Sequence, residues 1–263
     1  MSDPSLAVAV RAARNAAAVI EDAARDLVRL PSSSKEHGAI AAAASTEAAN
    51  AITTTLTTAF PDHAILGPEG GPKRDRNSTW RWFVDSLDGT ANFLHGYPYY
   101  AISIALTHGS ELTHAVVLDP IRDELFTAIK GRGALLNGVA LRVSGCTALD
   151  HALVGTVFPG RASPQLPAYL PILNALIARC AGIRRAGACA LDLAYVASGR
   201  LDAFWEMGLK TWDVAAGALL VSEAGGRVGD FAGGSDCLRR AEVIAAAPGV
   251  FNALREAIDT ALA

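Results

Sequence analysis

The spacing of apolar residues in the first quarter of the chain predicts two helices. Residues 5–30 place apolar side chains at helical intervals among alanines, with charged residues between them, which is typical of an amphipathic helix. Pro31 and the serines after it end this helix. A second helix is predicted over about 46–59, with Ser45 as its N-cap.

The middle of the chain has the short apolar runs and turn residues of β-strands. A strand at Ala64–Leu66 precedes a second at Trp80–Val84, which is expected to end at Asp85. Asn137-Gly138 is typical of a hairpin turn. Further antiparallel strands are predicted at Tyr100–Leu106, Thr113–Leu118 and Glu124–Ile129.

After about residue 150 the predicted elements alternate between strands and helices. Gly225-Gly226 provides a helix stop, and Pro248-Gly249 is expected to break the last strand. This mixture predicts a layered α/β sandwich and not a barrel. The predicted strands are 152–157, 201–206 and 243–247, and the predicted helices are 168–180, 188–198, 211–224 and 250–262.

Composition narrows the class of protein. The chain has 263 residues, 51% of them hydrophobic, and a formal net charge of -3, so no polybasic nucleic-acid surface is indicated. No apolar run reaches the roughly 20 residues that a membrane span needs, and the N-terminus lacks a signal-peptide pattern. Four cysteines, none in a C-x-x-C pair, favour reduced thiols. We therefore expect a cytoplasmic protein with no membrane partner and no direct nucleic-acid partner.

The candidate chemistry begins at the end of the strand that starts at Trp80. Asp85 and Asp88 lie three residues apart, and Gly89 and Thr90 permit a tight turn into a helix that Thr90 can cap. Two close carboxylates repel each other unless a cation neutralises them, and oxygen ligands favour Mg²⁺. A solvated acidic turn with a helix cap is the alternative, and the motif alone leaves the two about even.

A third carboxylate follows much later in the chain. Asp213 stands in the first turn of a predicted helix rich in alanine and glycine, where an acidic residue is often only a partner of the helix dipole. The small residues behind Asp213 let this helix pack very closely, as a buried site requires. Convergence of Asp85, Asp88 and Asp213 on one divalent cation is the central hypothesis.

Taken together, these segments resemble the inositol monophosphatase family, especially its bacterial extragenic-suppressor-type members. The resemblance runs from about residue 10 to 255. The segments that carry it are Trp82–Phe93, Gly208–Gly217, Asp119–Phe126, Leu136–Gly138 and Ala190–Arg200.

The resemblance implies one domain over residues 1–263, a five-layer α-β-α-β-α sandwich with a metal-elbow half at 1–150 and a smaller α/β half at 151–263. It implies Mg²⁺-dependent, lithium-sensitive hydrolysis of a small phosphomonoester such as inositol 1-phosphate, with a phosphorylated polyol or sugar as ligand. One to three Mg²⁺ per site are implied, with Mn²⁺ as a substitute. A homodimer is implied, and bacterial members are linked to transcription complexes.

The resemblance also assigns roles to residues that match its motifs. The carboxylates and the carbonyl of Leu87 correspond to metal ligands, and Thr90 to the hydroxyl that orients the attacking water. Asp88, Gly89 and Thr90 border the phosphate, and Asp88, Thr90 and Glu69 make up the catalytic set. The implied metal ligands are Glu69, Asp85, Leu87, Asp88 and Asp213, and the implied substrate contacts are Asp88, Gly89, Thr90, Arg185, Ala188, Glu206 and Asp213.

Three positions depart from the family pattern. Pro68 stands where the first metal-binding Glu is normal, and Glu69 could reach that place only if the loop shifts by one residue. Ser45 stands where an Asp normally hydrogen-bonds the catalytic Thr, and a hydroxyl is a poor base. Ser86 replaces a Pro without removing a ligand. Both Pro68 and Ser45 are expected to weaken the binding of the first metal ion and the activation of its water.

Two alternatives to a phosphomonoesterase remain open. One is a catalytically degenerate relative that acts as a binding or regulatory protein associated with transcription. The other is a phosphatase for a sugar bisphosphate or a phosphonucleotide, which would need further basic residues over the pocket. The candidates for that role are Lys35, Arg184, Arg185 and Lys210, although solvated surface charge is the commoner explanation for each.

Overall fold

Two long helices open the computed structural model, which describes residues 3–27, 35–68, 78–160 and 163–263. Helix α1 spans Pro4–Leu27 and buries a face made mostly of alanines. Helix α2 spans Lys35–Ala59, so the predicted start near 46 is wrong, and Ser45 lies inside the helix instead of capping it. The alanine-rich stretch before Ser45 has high helix propensity, which extends the helix backwards.

A seven-stranded sheet follows, with its strands in sequence order. Strand β1 runs parallel to β2, and every later neighbour is antiparallel. Positive φ angles of 48° at Asn137 and 81° at Gly138 form the expected hairpin turn. The strands are β1 Ala64–Leu66, β2 Trp80–Asp88, β3 Ala101–His108, β4 Glu111–Asp119, β5 Glu124–Ile129, β6 Ala134–Leu136 and β7 Val139–Ala140.

Strand β2 continues three residues beyond its expected end at Asp85. The pairing with β3 shifts register between Asp85 and Asp88, as a bulge does, so the acidic elbow is built into the strand. Gly89, with φ of 89°, then caps the short helix α3, which spans Thr90–Leu94. Thr90 is therefore the first residue of the helix, and its predicted role as the cap is wrong.

The second sheet has five strands in the order β11-β12-β10-β8-β9. The 3₁₀ turn Leu149–His151, strands β9 and β11, and helix α7 are too short to give a clear sequence signal. Pro248 opens the last helix instead of preceding it, because proline fits the first turn of a helix. The strands are β8 Leu153–Gly155, β9 Gly182–Arg184, β10 Ala203–Met207, β11 Arg227–Gly229 and β12 Glu242–Ala246, and the helices are α4 Leu166–Ile177, α5 Cys189–Ala197, α6 Thr211–Glu223, α7 Cys237–Arg240 and α8 Pro248–Leu262.

The elements stack as the expected five-layer sandwich. Helices α1 and α2 cover one face of the large sheet, and α5 and α6 fill the space between the two sheets. Helices α4 and α8 cover the far face of the small sheet. None of the helices in the described ranges combines the length and apolarity of a membrane span. The central layer carries the candidate site, because α5 and α6 both begin next to the end of β2.

Candidate active site

Asp88 lies where the last residue of β2 meets the first turn of α5. Its Oδ2 accepts a hydrogen bond from the backbone N–H of Ala190 at 2.7 Å. Burial raises the pKa of Asp88 to about 7, the Ala190 N–H lowers it, and the negative charges of Asp213 and Asp192 raise it further. A carboxyl group held among other acids in this way gains free energy when a cation neutralises it.

Asp213 is brought to the same place by α6. Its Oδ2 accepts the backbone N–H of Lys210 at 2.8 Å, which closes the first turn of the helix. Burial raises the pKa of Asp213, while the Lys210 N–H and ammonium charge oppose this. Since the charge of Asp213 also raises the pKa of Asp88, the two acids share one electrostatic environment. Two of the three predicted aspartates, Asp88 and Asp213, therefore interact electrostatically.

The third aspartate organises the elbow itself. Asp85 is buried, and its Oδ1 accepts the backbone N–H of Leu87 at 3.1 Å. The carbonyl of Leu87 in turn accepts the hydroxyl of Thr90 at 3.0 Å. These bonds fix the backbone that carries Asp88, and they leave lone pairs on the Thr90 oxygen that can accept a hydrogen bond from water.

The fit of this site to a divalent cation is partial. In the described ranges, no group of three or more His, Cys, Asp and Glu side chains is arranged to hold a metal. The donor set nevertheless suits one hard cation, because Asp88 and Asp213 are half-buried acids, and an ion would relieve the repulsion that raises the pKa of Asp88. The metal set that includes Asp85, Leu87 and Glu69 stays a prediction, and Glu69 lies outside the described residues.

Position 68 and Ser45 are both placed in the structure. Pro68 follows β1 in an exposed turn, after Gly67, where a Cβ would come within 2.3 Å of the Val84 carbonyl oxygen. The Ser45 and Ser86 hydroxyls lie 3.4 Å apart, and the Ser86 hydroxyl donates to the Ser45 carbonyl at 3.0 Å. Ser45 thus faces Ser86, the residue that replaces the usual Pro. The Thr90 hydroxyl instead donates to the Leu87 carbonyl.

Glu206, the implied reader of substrate hydroxyls, is locked into the protein. Its Oε2 accepts the Val157 N–H at 2.7 Å and the Thr156 hydroxyl at 3.2 Å, and its Oε1 accepts the Met207 N–H at 2.9 Å. Only 2% of the residue is exposed. Burial raises its pKa to about 7, against these bonds and the charge of Arg185. Glu206 therefore ties the end of β8 to β10, and its predicted contact with a substrate hydroxyl stays a prediction.

A buried polar clip beside Asp88 was not predicted as a unit. The Asn92 amide donates to the Tyr99 carbonyl at 2.7 Å and to the Ala186 carbonyl at 2.8 Å. The Tyr99 hydroxyl donates to Asp192 Oδ1 at 2.6 Å, while the buried Oδ2 of Asp192 has no hydrogen-bond partner. The sequence indicated that Asp192 could support the site. The role of Asn92 was missed, although a polar residue in an apolar segment is a signal that could have identified it.

The remaining implied substrate residues, Gly89, Ala188 and Arg185, lie near the start of α5. A Cβ at Gly89 would lie 3.2 Å from the Cβ of Ala188, which shows how closely the elbow approaches the start of α5. Arg185 is exposed, and its charge lowers the pKa of both Asp192 and Glu206. Of the other basic candidates, Arg184 is exposed and Lys210 caps α6, while the side chain of Lys35 lies outside the described residues.

Comparisons with known proteins agree with this geometry. A model of the inositol monophosphatase family matches residues 1–261. The chain is 47% identical over 260 residues to Nus factor SuhB of Pseudomonas aeruginosa, covering 97% of this chain and 96% of the relative. It is 41% identical to Nus factor SuhB of Escherichia coli K12, with 95% and 94% covered.

Solved structures give the same result. The extragenic suppressor protein SuhB of Bartonella henselae superposes with a TM-score of 0.88 at 38% identity, covering 97% of this chain and 98% of the other. An inositol monophosphatase from Anabaena superposes with a TM-score of 0.86 at 32% identity, covering 97% and 95%. The resemblance seen in the sequence is confirmed at the level of both sequence and fold.

Proposed function

The chain belongs to the inositol monophosphatase family, and from this premise we propose that it is a slow, divalent-cation-dependent phosphomonoesterase. The observation that carries the proposal is that Asp88, which accepts a hydrogen bond from the first turn of α5, and Asp213, in the first turn of α6, are half-buried acids whose charges interact. A small phosphorylated polyol or sugar is the proposed class of substrate, and Mg²⁺ the proposed ion. A homodimer remains an expectation from the family.

The residues of the site would divide the work as follows. Asp88 and Asp213 would hold the cation, and Asp88, Gly89 and Thr90 would border the phosphate. When bound, the ion supplies charge neutralisation for the phosphate and makes a bound water more acidic. Thr90, fixed by its bond to the Leu87 carbonyl, would accept a hydrogen bond from the attacking water and orient it.

Turnover is expected to be slow because two groups near the water differ from the family pattern. Pro68 has no side-chain oxygen, and the Ser45 hydroxyl faces Ser86 and is a poor base. If each missing carboxylate costs a factor of about 10² to 10³, the pair lowers turnover by about 10⁴ to 10⁶. At these two positions the chain lacks the carboxylates of the family pattern.

The first prediction restores the missing groups. We expect the double variant Pro68→Glu, Ser45→Asp to raise kcat on inositol 1-phosphate with Mg²⁺ by at least about 100-fold, because the family pattern has a metal-binding Glu and a base-supporting Asp at these positions. Phosphate release measures kcat. Thr46→Asp, which adds a carboxylate on the exposed face of the same helix, is the matched control and should leave kcat unchanged.

The same assay of phosphate release can contradict the proposal. If the wild type does not turn over and the double variant stays equally inactive, the pocket is not a phosphomonoesterase site. Hydrolysis that survives Asp88→Asn in the restored background would likewise contradict the assignment of Asp88. Circular dichroism of each variant separates loss of activity from loss of fold.

A second candidate function is a role associated with transcription, without catalysis. Several similar relatives are named Nus factor SuhB, one of them at 47% identity across nearly the whole chain. The replacements at positions 45 and 68 favour this role, since a binding protein has no need of an activated water. Such a role would place the chain in the cytoplasm. A silent wild type whose activity appears only in the restored double variant would support this candidate over the first.

A further inference from the structure

A single amide side chain joins the acidic elbow to the segment that leads into α5. Asn92 lies in α3, two residues after Thr90, and only 9% of it is exposed. Its Nδ2 donates to the Tyr99 carbonyl at 2.7 Å and to the Ala186 carbonyl at 2.8 Å, so both N–H groups of the amide are used. The amide therefore bridges the segment that enters β3 and the segment that enters α5.

The short helix that carries Asn92 is held on its other side. The next residue, Phe93, is buried in the core between the large sheet and the two N-terminal helices. Its ring meets the ring of Tyr100 edge-on, with centres 5.3 Å apart. The Phe93 N–H also donates to the Gly89 carbonyl at 3.0 Å, which ties the helix to the elbow. The Asn92 amide therefore has a defined position beside the elbow.

The segment that Asn92 holds leads directly to a hydrogen-bond donor for Asp88. Residues 185–188 join β9 to α5 and lie outside both elements. Four residues after Ala186, the N–H of Ala190 donates to Asp88 Oδ2 at 2.7 Å. A displacement of the Ala186 carbonyl would therefore move the first turn of α5 and the donor that it presents to Asp88.

Two glycines show how closely these parts fit together. A Cβ at Gly187 would lie 3.2 Å from the Nδ2 of Asn92. A Cβ at Gly89 would lie 3.0 Å from the Tyr99 carbonyl oxygen and 3.2 Å from the Cβ of Ala188. The carbonyl that accepts the amide thus lies against the elbow, and so does the residue that precedes α5. The elbow and the start of α5 have little room to shift while the Asn92 bonds are made.

We propose that Asn92 is a positioning residue for the candidate site. Its amide keeps the start of α5 where the Ala190 N–H bonds Asp88, and it acts on the site only through this contact. Because Asp88 is one of the two carboxylates proposed to hold the cation, the inference rests on the proposed function and adds a residue to it. Groups that orient a metal-binding carboxylate contribute to metal affinity although they do not touch the ion.

A readout that is independent of stability is needed to test this role. Removing the amide leaves two carbonyls without their donor, so a loss of stability is expected whether or not Asn92 positions the site. The sequence offers a direct probe of the contact itself. Ala181 and Ala190 are the only alanines that follow a cysteine. Protein made with ¹³C-carbonyl cysteine and ¹⁵N alanine therefore shows only these two amides in a carbonyl-correlated NMR spectrum.

The second prediction concerns Asn92→Ala. The Ala190 amide proton should move upfield, because its short bond to the Asp88 carboxylate is lost or lengthened. The Ala181 proton, which donates to the Ala152 carbonyl, is the internal reference and should stay in place. Isothermal titration should show the Kd for Mg²⁺ raised by about 10- to 100-fold. Circular dichroism confirms that the variant is folded.

Gly187→Ala reaches the same contact without changing Asn92. Its new Cβ should displace the amide and shift the Ala190 proton in the same direction. Gly131→Ala is the matched control. Both glycines have positive φ, 95° at Gly187 and 73° at Gly131, so alanine strains the backbone at each, but Gly131 has open space around it. The control should change neither the Ala190 amide nor the Mg²⁺ affinity.

The outcomes separate this inference from the proposed function. An unmoved Ala190 proton in folded Asn92→Ala overturns the inference, and so does a moved proton with unchanged Mg²⁺ affinity. If the wild type binds no Mg²⁺, the proposed function fails and the NMR comparison alone decides the role of Asn92. If Asn92→Ala does not fold, the same readouts in Gly187→Ala decide it.

Discussion

At the scale of single residues, the site is distinguished by acids that hold their protons near neutrality. Burial raises the pKa of Asp88, Asp192 and Glu206 to about 7 each. Among them Asp192 is the least satisfied, because its Oδ2 is buried without a hydrogen-bond partner while its Oδ1 accepts the Tyr99 hydroxyl. Its pKa has a direct consequence for the dependence of stability on pH.

The third prediction concerns Asp192→Asn. In the unfolded chain this carboxyl loses its proton near pH 4, whereas in the folded protein it keeps the proton up to about pH 7. Between these values the folded state binds more protons, so the group lowers the free energy of unfolding by up to about 1.4 kcal/mol per pH unit as pH rises. We expect the variant to lose this slope, as urea unfolding at pH 5 and pH 8 will measure.

The difference in stability between Asp192→Asn and the wild type should depend on pH. At pH 5 the variant is expected to be less stable, because the NH₂ group of the new amide replaces the unpartnered Oδ2 and buries two N–H donors without an acceptor. At pH 8 the difference should shrink or reverse, since the wild type then buries a charge. Asp150→Asn, at an exposed side chain, is the control. An unchanged slope in Asp192→Asn would show that this carboxyl does not titrate as described.

At the scale of elements, the close approach of α5 and α6 brings Asp88 and Asp213 together. Gly217 in α6 allows this, because a Cβ at that position would lie 2.4 Å from the Cβ of Leu193 in α5. No side chain can move aside at that distance without moving the helices. The small residues that follow Asp213 in the sequence predict this packing, although the sequence does not identify the facing helix.

The fourth prediction applies one substitution to two helices. Gly217→Ala should lower the free energy of unfolding by about 1–3 kcal/mol, because overpacking outweighs the gain in helix propensity. Gly38→Ala, in α2 with open space around it, should raise the free energy of unfolding by up to about 1 kcal/mol. Chemical denaturation measures both. Stabilisation by Gly217→Ala would mean that α5 and α6 are not in close contact.

At the scale of the whole molecule, the candidate site draws on all three central layers of the sandwich. The large sheet supplies Asp88, the helices between the sheets supply the donors to it and Asp213, and the small sheet supplies Glu206. A cation at this junction would bind only the folded chain, because the unfolded chain separates these residues. Binding must then raise the stability of the whole protein.

The fifth prediction is a thermal shift. At a Mg²⁺ concentration about 100 times its Kd, the Tm should rise by about 5 °C relative to protein in EDTA, from about 2.7 kcal/mol of linked binding. Asp88→Asn should remove the shift, because it neutralises one of the two proposed ligands. Asp236→Asn, at an exposed ion pair with Arg239, should keep it. An equal shift in Asp88→Asn would locate the ion elsewhere.

The sequence by itself determined the local features of this protein. Alternation of apolar residues set most strands, and Asn137-Gly138 set its hairpin, because turn geometry depends on neighbouring residues alone. The elbow from Asp85 to Thr90 and the acid at Asp213 were visible as motifs with a chemical reason. The early start of α2 was missed, because an alanine-rich stretch without a cap gives no boundary signal.

Only the tertiary structure decided what these residues face. Ser45 contacts Ser86, and both oxygens of Glu206 accept hydrogen bonds from the protein. The Arg185 guanidinium lies over the ring of Phe158. Most of these contacts join positions that are far apart along the chain; the Glu206–Met207 bond is the exception. Their partners depend on how sheets and helices pack, and that packing is fixed by burial over the whole core and not by any local pattern.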